Sequence, residues 1–217
     1  MATLRILIVD DHDVVRHGVR ALIERNRDCE VCGEANNGRD AVAETQRLAP
    51  DIVIIDIGMP ELNGLDATRQ ILKLMPTTKI LVLTMHDSEQ VVREVLATGA
   101  HGYLLKSDAG RDLLGAIEAL RTNKPFFTST VAQMLVNHYR KTHAGSEATH
   151  GTSLLTARER EIVQLLAEGK STKEVATVLG LSVRTADTHR TNVMRKLDIH
   201  SVSELVRYAI RNRIIEP

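Results

Sequence analysis

Between residues 4 and about 120, short aliphatic runs alternate five times with stretches whose apolar residues recur at helical spacing, and this beat admits few folds. The strand-like runs are 4–9 (LRILIV), 30–35 (EVCGEA), 51–55 (DIVII), 79–83 (KILVL) and 101–105 (HGYLL). Helical patterns lie between and after them, near 13–26, 38–49, 65–75, 88–98 and 110–121. Strands that are apolar on both faces belong in a parallel sheet covered by helices on both sides, so the spacing predicts a five-stranded, parallel, doubly wound α/β domain.

The pattern changes beyond residue 121. The stretch "TSTVAQMLVNHYRK" can make one further helix, and 142–153 (THAGSEATHGTS) has the small, polar composition of a flexible linker. Strand signals then stop. Three capping boxes announce helices instead: Thr156 with Glu159, Ser171 with Glu174, and Ser201 with Glu204. A fourth helix is expected after Ser182. The expected division is therefore a domain over 1–122, a linker with one helix over 123–153, and a small all-helical domain over 154–217.

Charge follows the same division. The 217 residues have no net charge, but 151–217 carry eleven Lys and Arg against eight Asp and Glu, leaving the rest of the chain acidic. An acidic module joined to one able to face a polyanion is the natural reading. No apolar stretch approaches the ~18 residues of a spanning helix, and the N-terminal residues lack the layout of a signal peptide, so a cytoplasmic protein without a membrane partner is expected. Cys29 and Cys32 spell C-x-x-C within a strand, where alternation turns them to opposite faces, which argues against a shared redox or metal role.

Ligands of such sheets bind at the carboxyl ends of the strands. The first strand ends there in Asp10 and Asp11, the third in Asp56, the fourth in Thr84 and the fifth in Lys106. Asp13 precedes an apolar helical pattern (Val14, Val15, Val19, Leu22, Ile23) and reads as an N-cap. Asp10 and Asp11 have no such local use. Crowded carboxylates raise one another's pKa unless a cation or a solvated turn relieves them. A hard-oxygen site for Mg²⁺ would explain the crowding, leaving Asp56 to attack phosphorus, Lys106 to meet phosphoryl oxygens and Thr84 to donate a hydrogen bond. Taken singly, each of these residues is equally well a cap, a strand residue or a surface lysine.

The runs "ILIVDDH", "DIVIIDIGMPELNG", "KILVLTMHD" and "GAHGYLLKS" resemble the receiver domain of two-component response regulators, whose sheet is flavodoxin-like. The resemblance implies that a histidine kinase donates a phosphoryl group to Asp56. It also implies that Asp11, Asp56 and the carbonyl of Gly58 bind Mg²⁺ with help from Asp10, and that Tyr103 changes rotamer as Thr84 moves. Ser107 stands where many receivers have proline, and members of the NarL/FixJ subgroup also lack that proline. Gly58 and His86 occupy positions that tune the lifetime of the phosphoryl group in that family.

The run "LTARERE…GKSTKEVATVLGLSVRTADTHRTNVMRKLDIHS…ELVRYA" is similar to LuxR-type helix-turn-helix domains. That likeness implies double-stranded DNA as a partner, with helix 172–179 as scaffold and helix 183–197 in the major groove. At 100° per residue, Val183, Ala186, Val193, Met194 and Leu197 share the arc that must face the core. Arg184, Thr188, Thr191, Asn192 and Arg195 take the opposite, readable arc, with Asp187 at its flank. Lys170, Ser171 and Thr172 are placed at a helix start to bind phosphate. Arg190 falls among the apolar residues and is expected to pair with a glutamate such as Glu161.

Together these readings describe a non-enzymatic, phosphorylation-controlled transcription regulator that binds DNA as a homodimer and acts on RNA polymerase. Two alternatives compete with it. A phosphohydrolase of the haloacid dehalogenase type needs a second acid where this chain has Gly58. An interaction module that has lost phosphorylation would not need the full set Asp10, Asp11, Asp56, Thr84 and Lys106.

Overall fold

The computed structural model describes residues 3–128, 131 and 154–216, so the helix expected within 128–141 lies almost wholly outside the described residues, and the polar stretch 142–153 entirely so. The chain forms two compact units, one built on the sheet and one on the last four helices.

In the first unit, strands β1 (Leu4–Val9), β2 (Cys29–Ala35), β3 (Ile52–Ile55), β4 (Lys79–Thr84) and β5 (Gly102–Leu105) alternate with helices α1 (Asp13–Ile23), α2 (Gly38–Leu48), α3 (Gly64–Leu74), α4 (Glu89–Thr98) and α5 (Ala109–Arg121). A single 3₁₀ turn, Lys106–Asp108, joins β5 to α5. The sheet is parallel throughout, in the order β2-β1-β3-β4-β5-β6. The doubly wound architecture read from the sequence is therefore borne out, with one strand more than expected. β6 (Phe126–Phe127) has two residues and pairs with β5, Gly102 opposite Phe126 and Tyr103 opposite Phe127. Two residues after a proline are too short for any periodicity to register.

Chemistry explains most of the element boundaries. β1 and β3 are aliphatic on both faces because helices cover both, and Ile6 to Val9 and Ile52 to Ile55 are buried. Asn37, Asn63 and Ser88 cap α2, α3 and α4, each accepting a hydrogen bond from the backbone N–H three residues on. Gly99 ends α4 with φ 88, a left-handed conformation that glycine adopts without strain.

The start of α1 differs from expectation. His12 holds the cap position without a capping side chain, and Asp13 is the first helical residue, its carboxylate paired with Arg16 one turn on. There it still favours the helix electrostatically, because negative charge suits the positive end of the dipole.

The second unit contains α6 (Ala157–Ala167), α7 (Thr172–Leu179), α8 (Val183–Lys196) and α9 (Val202–Arg211), packed around Ile162, Val163, Leu165, Val175, Ala176, Ala186, Val193, Leu205 and Ala209. Complete capping boxes start α6 and α7. The third is altered: Ser201 accepts from the Glu204 N–H, while the Glu204 carboxylate accepts from the N–H of His200 at 2.8 Å. Glu159 serves twice, accepting from the Thr156 N–H at 2.7 Å and pairing with Lys196 of α8 at 2.8 Å.

Two further expectations are corrected here. Ala186 and Val193 are buried and Met194 and Leu197 pack against the core, but Val183, the first residue of α8, is 50% exposed. Arg190 donates to the Thr172 hydroxyl at 3.3 Å, and the expected partner, Glu161, is paired with Arg158 at 2.8 Å.

Candidate functional site

Because every strand of the sheet runs the same way, the five residues singled out at the strand ends arrive at one edge. Asp10 and Asp56 are 2% and 6% exposed, Thr84 and Tyr103 are buried, and Asp11 is exposed. Lys106 links the two buried acids, its Nζ 2.8 Å from Asp10 Oδ2 and 2.6 Å from Asp56 Oδ2. The other Asp56 oxygen accepts from the Ile57 N–H at 2.7 Å. Asp10 Oδ1 accepts from the His12 N–H at 2.9 Å, and the His12 ring nitrogen lies 2.8 Å from Asp11. Thr84 Oγ1 accepts from the His86 N–H at 3.3 Å, and the Tyr103 hydroxyl donates to the His86 carbonyl. Gly58 is half-buried two residues beyond Asp56.

The electrostatics of this edge are dominated by the loss of water. Burial pushes the Asp56 carboxyl up to about 6, against the hydrogen bond and charge of Lys106, which pull it down. Burial also acts to lower Lys106, but its hydrogen bonds to Asp10 and Asp56 more than offset this and hold the ammonium above the ordinary lysine value. Burial thus disfavours the charged carboxylate, while the lysine keeps its proton.

Carboxylate oxygens of Asp10, Asp11 and Asp56 and a ring nitrogen of His12 lie within 4.8 Å of one another. Three hard oxygen donors with one member open to solvent suit a divalent cation that retains several waters, and Mg²⁺ fits that description. His12 was not among the residues expected here. Its adjacency to two aspartates was a signal, though a nitrogen ligand is not what Mg²⁺ prefers.

A second residue the sequence reading passed over is Gly64, the first residue of α3. A Cβ placed there would lie 1.8 Å from the Asp56 carbonyl oxygen, and the Gly64 N–H donates to the Ile57 carbonyl at 2.8 Å. Only glycine lets α3 begin so close to the strand end that carries Asp56.

In the helical unit, all six residues expected on the readable side of α8 are exposed: Arg184, Asp187, Thr188, Thr191, Asn192 and Arg195. Thr188 turns its hydroxyl back to the Arg184 carbonyl at 2.9 Å, and Arg195 donates to Asn192 at 3.1 Å. Among the described residues Asp187 has no hydrogen-bond or ion-pair partner. Asp187, Thr191 and Arg195 also line a groove of about 470 Å³ that His200 helps to close. At the start of α7, Ser171 is committed to its capping box and Thr172 to Arg190, while Lys170 is half-buried.

Residues 6–118 match the model of the response regulator receiver domain, and 153–209 match that of the luxR family of bacterial regulatory proteins. The chain belongs to the two-component response regulators with a LuxR-type DNA-binding domain. Like its relatives in that family it is a transcription regulator. It is similar to the transcriptional regulatory protein LiaR of Bacillus subtilis, 37% identical over 212 residues that span 98% of this chain and 99% of that one. Among solved structures it resembles the RcsB response regulator of Salmonella typhimurium, with 28% identity, a TM-score of 0.59, and 96% of this chain and 98% of the other covered. Another RcsB structure, 27% identical with a TM-score of 0.59 and covering 95% of this chain and 97% of that one, holds two dimers bound to two parallel DNAs. No helix among the described residues of the regulator is long and apolar enough to cross a membrane.

Proposed function

We propose that the regulator accepts a phosphoryl group on Asp56 from a histidine kinase and that this modification controls how its helical unit binds specific DNA sites. The observation that carries the reading is the placement of Lys106, which touches both buried acids with one ammonium. Once Asp56 is phosphorylated, the same ammonium can follow the charge onto a phosphoryl oxygen without leaving Asp10.

In the transfer, an oxygen of the Asp56 carboxylate attacks phosphorus and the imidazole of the donor departs with its electron pair. Asp10, Asp11 and Asp56, with the carbonyl of Gly58, would hold Mg²⁺, which supplies charge neutralisation to the phosphoryl oxygens. Lys106 stabilises the growing negative charge, and Thr84 turns its hydroxyl from the His86 N–H toward a phosphoryl oxygen. Tyr103 responds because its hydroxyl bonds to the carbonyl of that same His86. The chain then works as three segments, 1–122 receiving, 123–153 linking and 154–217 reading.

For DNA, Arg184, Asp187, Thr188, Thr191, Asn192 and Arg195 face the major groove, and Lys170, Ser171 and Thr172 approach the phosphates. Two copies bind together through α9, where Val202 is 53% exposed and Val206 and Ile210 are half-buried while Leu205 and Ala209 fill the core. The regulator works in the cytoplasm, where the kinase, the DNA and RNA polymerase meet.

Incubation with acetyl phosphate and MgCl₂ followed by intact-mass measurement tests the first step. One added phosphoryl group is expected in the native chain, and none in Asp56→Asn or without Mg²⁺. Equal labelling of Asp56→Asn would reject Asp56 as acceptor and leave the phosphorylation-independent module standing.

A further inference from the structure

Arg16, on the second turn of α1, is used by none of the chemistry above, yet it is 14% exposed by side chain and fully engaged. Its Nη1 donates to the backbone carbonyl of Asp10 at 2.7 Å, its Nε to Glu34 Oε2 of β2 at 3.2 Å, and its Nη2 to the Asp13 carboxylate. Glu34 is itself held from the other side by Arg20 Nε at 2.7 Å. A guanidinium with little water must be paired, and this one spends all three of its edges on three different segments.

The Asp10 carbonyl belongs to the peptide that joins Asp10 to Asp11. That unit is planar, so holding its oxygen restrains the tilt of the plane that carries the Asp11 Cα. Asp11 needs such a restraint. Its carboxylate is 31% exposed and touches His12, whereas Asp10 is already anchored by Lys106 and the His12 N–H. We propose that Arg16, aimed by Glu34 and Arg20, is a positioning residue for the metal site: it orients the Asp10–Asp11 peptide so that the two carboxylates converge on one divalent cation. The proposal rests on the reading of Asp10, Asp11 and Asp56 as Mg²⁺ ligands.

Charge alone predicts the opposite sign. Arg16 is a cation near a cation site, so removing its charge should tighten Mg²⁺ binding if Coulomb repulsion were its only influence. If Arg16 only staples α1 to β2, its loss should lower the melting temperature and leave Mg²⁺ affinity alone. Positioning predicts weaker binding, by about tenfold, the lower end of what loss of an outer-sphere partner costs a metal site.

The test is a MgCl₂ titration of the full chain, followed by amide chemical shifts, for the native protein, Arg16→Gln and Arg16→Lys, with thermal unfolding of each in the absence of Mg²⁺. Both variants should bind Mg²⁺ about tenfold more weakly, because lysine keeps the charge and loses the fork that reaches three acceptors. Excess Mg²⁺ should restore acetyl phosphate labelling of Arg16→Gln. Unchanged or tighter binding in the folded variants overturns the proposal. Should Arg16→Gln fail to fold, Arg16→Lys and Glu34→Gln are compared in its place, and native affinity in both overturns it equally. The underlying site has its own control, since Asp11→Asn binding Mg²⁺ as well as the native chain would reject the ligand assignment rather than the role of Arg16.

Discussion

The strand-end pocket and the outer face of α8 hold charged residues in opposite surroundings. In the pocket, Asp10, Asp56 and Lys106 are nearly dry and held by one another, so each group's state depends on the others. On α8, Arg184, Asp187 and Arg195 stand in solvent, and Asp187 has no partner among the described residues. A site that does chemistry on a small group must expel water and preorganise charge. A face that reads a large polyanion must stay wet and open until the partner arrives. The two regions should therefore fail differently when altered.

The greatest difference should come from Lys106→Met. It leaves two buried carboxylates without their cation, and breaking such a pairing costs about 3–5 kcal/mol, whereas Arg195→Ala on the exposed face should change stability by less than about 0.5 kcal/mol. Denaturant unfolding of both at neutral pH checks the contrast. The Lys106→Met loss should shrink in MgCl₂, and equal costs for the two variants would erase the distinction. Gly64→Ala comes next. Its new methyl would meet the Asp56 carbonyl, so a stability loss toward the upper end of about 1–3 kcal/mol is expected, together with slower acetyl phosphate labelling.

A smaller effect should follow pH. Asp56 has its pKa raised by the fold to about 6, so the folded state holds its proton more tightly than the unfolded chain does. The stability this contributes is fully present below the ordinary aspartate range and is lost as pH rises through about 6, on the order of 1 kcal/mol after allowance for the coupling to Lys106. Without Mg²⁺, the native chain should lose more stability than Asp56→Asn between those limits, and labelling should slow as pH falls below about 6. A parallel decline in the two proteins would remove Asp56 as the cause.

The smallest change is expected from Asp187→Ala. Removing an unpaired carboxylate should strengthen binding to random DNA at fixed salt by roughly twofold, a few tenths of a kcal/mol. Titration against operator variants then separates two roles. Loss of about 1–3 kcal/mol of discrimination at one C·G position means that Asp187 accepts from cytosine N4, and unchanged preference means that it is only solvated. Weaker binding to random DNA would take Asp187 out of the interface.

The same contrast governs how much could be read in advance. The first five strands and the helices α7 and α8 lie within a residue or two of their sequence-based bounds, and α6 and α9 start just after the capping residues read for them, because apolar periodicity and capping residues are local signals. Five acids, hydroxyls and amines could be placed at one edge because parallel topology alone sends strand ends there. What escaped was set by distant partners. Whether Asp13 caps or pairs depends on Arg16, and whether Arg190 meets Glu161 depends on where Arg158 lies. The Arg16–Glu34–Arg20 chain joins α1 to β2 across a gap no local pattern spans. The need for glycine at 64 appears only once α3 is laid against Asp56.

The bond between Lys106 and Asp56 joins residues fifty positions apart in the chain, and each directly follows the end of its own strand. During synthesis the aspartate emerges first and must wait for the last strand of the βα series to be made and inserted beside β4. Until then it is an ordinary solvated carboxylate with no ammonium beside it. The proposed competence of Asp56 to accept a phosphoryl group is therefore acquired only once β5 brings Lys106 to it.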